Sequence, residues 1–166
     1  MPSTSPVQAE NVFVQTYRVY YAETDAGGIV YHSKYMEFAE RSRSELLRHV
    51  GYPLVSAEGG QFVARNASIS WQRPARLDDL IRCESSVIAI RGASLRIRHA
   101  FYRDKEMLVQ IEIELAHINA QMRAARIPAA LIEKLSPYLA DSPSSLHDPF
   151  APPAAAHVMD RSPRRA

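Results

Sequence analysis

The chain has 166 residues, 46% of them apolar, which fits a single folded domain with its own core and excludes a wholly disordered chain. Residues 1–120 carry 14 Lys+Arg against 14 Asp+Glu, and residues 121–166 carry 6 against 4, so the whole excess of +2 lies at the C-terminal end. A neutral body lacks the basic face of a nucleic-acid-binding domain, and the single Cys83 excludes an internal disulfide or a cysteine-based metal cluster.

Residues 1–10 have no basic flank and no apolar run, so they do not read as a signal peptide. No stretch approaches the ~20 apolar residues of a membrane span. The expectation is a soluble, cytoplasmic protein, and the lone cysteine suits a reducing compartment. A first strand is expected over 13–21, rich in β-branched and aromatic residues. One long helix follows, from about 33 to about 50. Its apolar positions Tyr35, Ala39, Leu46 and Val50, widened by Met36, Phe38 and Leu47, recur at helical spacing. Glu37 and Arg41 form an i,i+4 pair on its polar side, and Gly51 and Pro53 stop it.

Strands are expected next over 61–72, 79–90, 93–103 and 107–119, with tight links at Arg91-Gly92 and Asp104-Lys105-Glu106. The last alternates Met107, Val109, Ile111, Ile113 and Leu115 with Gln110, Glu112 and Glu114, the pattern of a strand with one wet face. A short helix is expected over 128–134. From 136 onward the chain holds 6 of its 11 prolines and few large apolar residues, so 136–166 reads as a disordered tail and 12–135 as the domain. The fold class is α+β: about five mostly antiparallel strands packed against one long helix.

The chemistry concentrates in Tyr21-Ala-Glu-Thr-Asp25-Ala-Gly-Gly28-Ile-Val-Tyr31-His32-Ser-Lys-Tyr35. A carboxylate, a glycine turn and a helix start in that order can activate a carbonyl. Glycine lets backbone approach a ligand closely, and a helix start offers unpaired N–H groups and partial positive charge to an oxygen. Asp25 is also a residue type that ties turns and caps helices, although it lies too far ahead of the helix for a simple N-cap. His32 can read as a solvent-facing residue at a helix start, and Tyr21 as half-buried packing at a strand end. His99 and His117 fall within strand patterns and read as structural. No His pair stands at ligand spacing with a carboxylate, so no metal or other cofactor is expected.

This signature resembles the hotdog-fold acyl-CoA thioesterases of the 4-hydroxybenzoyl-CoA thioesterase class, and within it the bacterial Tol-Pal-system-associated branch. Glu37-Phe-Ala-Glu40-Arg-Ser-Arg-Ser-Glu-Leu-Leu on the helix and Arg73-Pro-Ala-Arg76-Leu-Asp-Asp79 between the second and third strands agree with it. The resemblance covers residues 12–135. It implies a curved antiparallel sheet wrapped around the helix, protomers paired through their sheets as a homodimer or homotetramer, and active sites at the dimer interface. It implies hydrolysis of an acyl-CoA, or of an acyl carrier protein thioester, to the free acid.

Residue by residue, the resemblance makes Asp25 the catalytic carboxylate, as general base or nucleophile, and implicates His32 and Tyr21 beside it. Backbone N–H groups of Tyr31 and His32 are the expected donors to the carbonyl oxygen. A second hotdog class carries its catalytic Glu on the central helix, where Glu40 would serve, but Glu40 sits near Arg41 and Arg43 and reads as an ion-pair partner. Arg65, Arg73, Arg76 and Arg91 are candidates for the coenzyme A phosphates. The rival reading is a non-catalytic acyl-thioester or envelope-partner binding module, which has no need of Asp25.

Overall fold

The structure is a computed structural model that describes residues 11–140. The sequence reading of 141–166 as tail lies outside the described residues. Five strands form one antiparallel sheet: β1 (Phe13–Arg18), β2 (Gln61–Trp71), β3 (Leu80–Arg91), β4 (Ser94–Arg103) and β5 (Glu106–Ile118), in the order β1-β3-β4-β5-β2. Helix α1 (Lys34–His49) packs against β3, β1 and β5, and a short α2 (Ala129–Leu135) follows the sheet. No helix among the described residues is long and apolar enough to cross a membrane.

Helix α1 buries Tyr35, Phe38, Ala39, Ser42, Leu46 and Leu47, close to the stripe read from the sequence. Against it stand the inward residues of the central strands, among them Ile81, Val87, Leu95, Ile97, Phe101 and Ile111. Burying a side chain of this size contributes roughly 1.5–3 kcal/mol, so tertiary packing rather than helix propensity holds α1 in place. A polar thread runs through the core: Tyr17 Oη bonds to Ser42 Oγ at 2.8 Å, and Ser85 Oγ to His99 Nδ1 at 2.8 Å. Burial pushes the Cys83 thiol beside them up to about 11, so it stays protonated and inert.

Two sequence expectations are corrected here, on the first strand and on β5. The first strand stops at Arg18, not at Tyr21. Glu23 Oε2 accepts the Tyr20 N–H at 2.5 Å, and this local contact starts a 3₁₀ turn over Tyr21–Glu23 in place of further strand. Residues 136–140, read from the sequence as the start of the tail, make local contacts with the body. Ser136–Tyr138 form a second 3₁₀ turn, and the Ala140 N–H donates to Val87 O at 2.9 Å, at a register break in β3. Finally, the outer face of β5 is not simply wet. Glu112 is buried between Arg98, at 2.8 Å, and Arg96, at 3.5 Å, its cross-strand neighbours on β4.

Strands β1 and β2 are the sheet edges. Ala67 on β2 pairs with the buried Ile113 and so faces the same side of the sheet, yet it is exposed. The inner face of β2 is therefore open around Ala67 in the single chain, while Ile69 on the same face packs against the core.

Candidate active site

The site begins where β1 leaves the sheet. Val19 exchanges backbone hydrogen bonds with Asp78 and Asp79, at 2.9 Å each. After the 3₁₀ turn the chain makes a tight reversal. The Asp25 N–H donates to Ile29 O and the Gly28 N–H to Asp25 O, both at 3.0 Å. Gly28 takes φ +72, a left-handed conformation open to glycine and strained for other residues. The returning arm is pinned from outside: Ile29 bridges Arg76, and the Val30 N–H donates to Ala75 O at 2.9 Å.

This reversal sets the carboxylate. Asp25 Oδ1 accepts the Gly27 N–H at 2.7 Å, an Asx-type turn. The turn-tying reading of Asp25 is thus real, and it leaves Oδ2 without a hydrogen bond from another described residue. The chain then enters α1. The Lys34 N–H donates to Tyr31 O at 2.8 Å and the Met36 N–H to Ser33 O at 3.0 Å.

The two expected backbone donors differ. The Tyr31 N–H donates to Glu23 O at 2.8 Å, so it is already engaged within the single chain. The His32 N–H makes no hydrogen bond to another described residue, and it lies just ahead of the helix start, where donors go unpaired.

Asp25 and His32 line one open cleft of about 380 Å³, with Ile29, Val30 and Tyr35 on their side. The facing wall is Trp71, Gln72, Arg73 and Pro74, where β2 leaves the sheet. Tyr35 is buried, its hydroxyl accepts the Ala75 N–H at 3.3 Å, and burial holds its pKa above the usual phenol range. It braces the helix start against the 74–76 segment as a neutral group.

The remaining candidates separate cleanly. Tyr21 is 81% exposed in the 3₁₀ turn and is not among the cleft-lining residues, so the geometry of the single chain does not bring it to Asp25. Glu40 accepts the Ser44 hydroxyl at 2.8 Å and pairs with Arg43 at 3.9 Å, and it too lies away from the cleft lining. Of the four arginines considered for phosphate, Arg73 alone lines the cleft, where it pairs with Glu106 at 3.1 Å. Arg65 pairs with Glu114 at 3.8 Å on the sheet. Trp71 went unread as a site residue, and Pro74 was read only within the motif that carries the resemblance. A tryptophan at a strand end carries no local sign that a distant helix start will face it.

A profile of the thioesterase superfamily matches residues 27–110, which include the glycine turn, His32 and the Trp71–Pro74 wall. The chain belongs to this superfamily. It is 45% identical over 122 residues to the acyl-CoA thioester hydrolase YbgC of Escherichia coli O6:H1, covering 69% of this chain and 89% of that protein. It is 33% identical over 123 residues to the acyl-CoA thioesterase YbgC of Haemophilus influenzae, covering 72% and 90%. Among solved structures, a probable thioesterase from Bartonella henselae superposes with a TM-score of 0.68 at 35% identity, covering 70% of this chain and 99% of that one. The architecture of one long helix against a five-stranded antiparallel sheet is accordingly the hotdog fold.

Proposed function

We propose that the protein hydrolyses acyl-CoA thioesters to the free acid and coenzyme A, with Asp25 as the acting carboxylate and the His32 N–H as donor to the thioester oxygen. The observation that carries this reading is that Asp25, whose Oδ2 takes no hydrogen bond from another described residue, and His32, whose N–H gives none, line the same cleft. A thioester carbonyl gains negative charge on oxygen as it is attacked. A fixed N–H at a helix start stabilises that charge, and one such donor is worth ~3 kcal/mol of barrier. Asp25 takes a proton from water as the water attacks, or attacks the carbonyl itself to form a mixed anhydride that water then opens. In both routes the bond to sulfur breaks and coenzyme A leaves as the thiol. The names of the relatives support coenzyme A as the carrier, and a panel that includes acyl carrier protein thioesters decides between the two.

Asp25→Asn keeps the shape and the Oδ1 acceptor but removes the base or nucleophile. It should lower kcat/KM by at least about a hundredfold in a thiol-release assay, with melting temperature unchanged. A variant that keeps more than a tenth of wild-type kcat/KM would remove Asp25 from the reaction.

The working form is a homo-oligomer in the cytoplasm. The free edge of β2 and the exposure of its inward Ala67 support pairing through that strand. Light scattering that finds an active monomer at assay concentration would overturn this part alone.

A further inference from the structure

The His32 ring makes no hydrogen bond to another described residue, so its orientation comes from packing. Two rings contact it. Tyr31, its chain neighbour, lies 4.3 Å away between centroids at 48°. Trp71, from the opposite wall of the cleft, stands edge-on at 6.2 Å and 83°. Edge-to-face contacts are directional because the positive ring edge meets the negative face.

Trp71 is anchored at its base and open at its ring. Its backbone pairs with Val109, and the next two N–H groups, of Gln72 and Arg73, both donate to Leu108 O at 2.8 and 3.0 Å. Trp71 nevertheless remains 52% exposed and lines the cleft. A fixed base with an open aromatic ring is what a contact surface needs, and the ring it meets is His32.

We propose that Trp71 is a positioning residue: its indole fixes the His32 imidazole, and with it the helix-start backbone that meets the thioester. This rests on the reading of the cleft as the site of thioester hydrolysis. Without the indole the imidazole gains side-chain freedom, and the loss falls on turnover more than on binding.

The test is a double-mutant cycle in the acyl-CoA thiol-release assay, on Trp71→Leu, Trp71→Phe and His32→Ala. Trp71→Leu keeps apolar bulk without a ring, and it should lower kcat about tenfold with KM within about threefold. Trp71→Phe should restore most of that loss. In the His32→Ala background Trp71→Leu should cost less than about twofold. Full additivity, a change confined to KM, or a Phe variant no better than Leu would overturn the proposal. The His32 ring-proton shifts, read by NMR on the free protein, should move in Trp71→Leu through loss of the indole ring current, and unmoved shifts would also overturn it. The wild-type protein in the same assay separates the two levels: no thiol release from any acyl-CoA defeats the hydrolase reading, while the NMR comparison still decides the contact.

Discussion

The Gly27 N–H donates to Asp25 Oδ1 at 2.7 Å, and a methyl group added at Gly27 would stand 3.0 Å from that same oxygen. The neighbouring Gly28 has no atom within 4 Å of such a methyl, but its φ of +72 is unfavourable for any side chain. The two glycines therefore serve different ends. Gly27→Ala should push the carboxylate aside and lower kcat about tenfold at nearly unchanged melting temperature. Gly28→Ala should act mainly on stability, costing about 1–2 kcal/mol of backbone strain. Kinetics and thermal melts on both variants check this, and equal effects of the two on kcat would remove the link between Gly27 and the carboxylate.

The site loop depends on a clamp outside it. Asp79 Oδ2 accepts the Arg76 N–H at 2.8 Å and Arg103 Nη1 at 2.7 Å, while Arg103 Nη2 reaches Glu106 at 2.6 Å. The contacts with Glu106 and then Asp79 hold the Arg103 pKa above its ordinary value. Segment 75–76 so fixed carries Ile29 and Val30. Asp79→Ala should cost about 1–3 kcal/mol, as for a hydrogen bond to a charged group, and should speed hydrogen exchange at the Val30 amide, which bonds Ala75 O. Val30 exchange at the wild-type rate would show that the loop holds itself.

Much of this was legible in the chain. The stripe on α1 is a local pattern that burial largely reproduced, whereas the alternation in β5 held for Val109, Ile111, Ile113 and Leu115 but not for its outer face, where Leu108 and Glu112 are buried. The motif around Asp25 and His32 is contiguous, so its order could be read directly. What escaped depended on long-range contacts. Trp71 becomes a wall only because β2 ends opposite the helix start. The Tyr31 N–H is taken by Glu23 because the loop folds back, which no propensity reports. Tyr21 fits a strand by composition, yet one carboxylate contact at Tyr20 turned the backbone out of the sheet.

His99 makes stability depend on pH. It is fully buried, and burial, aided by Arg43 from α1, lowers its pKa to about 3. Ser85 from β3 holds Nδ1, and Nε2 has no hydrogen-bond partner among the described residues. The folded protein keeps His99 neutral while the unfolded chain protonates it below about 6.5. The unfolded state therefore binds more protons between about 6.5 and about 3, and stability falls as pH falls through that window. Between pH 6.5 and 5 the loss from this group is of order 2 kcal/mol. His99→Gln should flatten the wild-type slope of urea midpoint against pH over that range. Parallel slopes for the two proteins would show that His99 does not set it.

Residues 136–140 touch the body at several points. Tyr138 meets Phe13 edge-on at 6.2 Å and lies 6.3 Å from His49, so it joins β1 to the end of α1. Leu139 bridges Val87, and the Ala140 N–H takes the carbonyl that the irregularity in β3 leaves at Val87. A half-buried aromatic and one backbone hydrogen bond together contribute about 1–3 kcal/mol. A chain ending at residue 140 keeps these contacts, together with the Ser136 bonds to Glu133 O at the end of α2, and a chain ending at 135 lacks them. The shorter one should melt lower by roughly 3–10 °C, with its kcat at low temperature close to that of the longer one, since the cleft lies elsewhere. Equal melting temperatures would place the boundary of the domain back at 135.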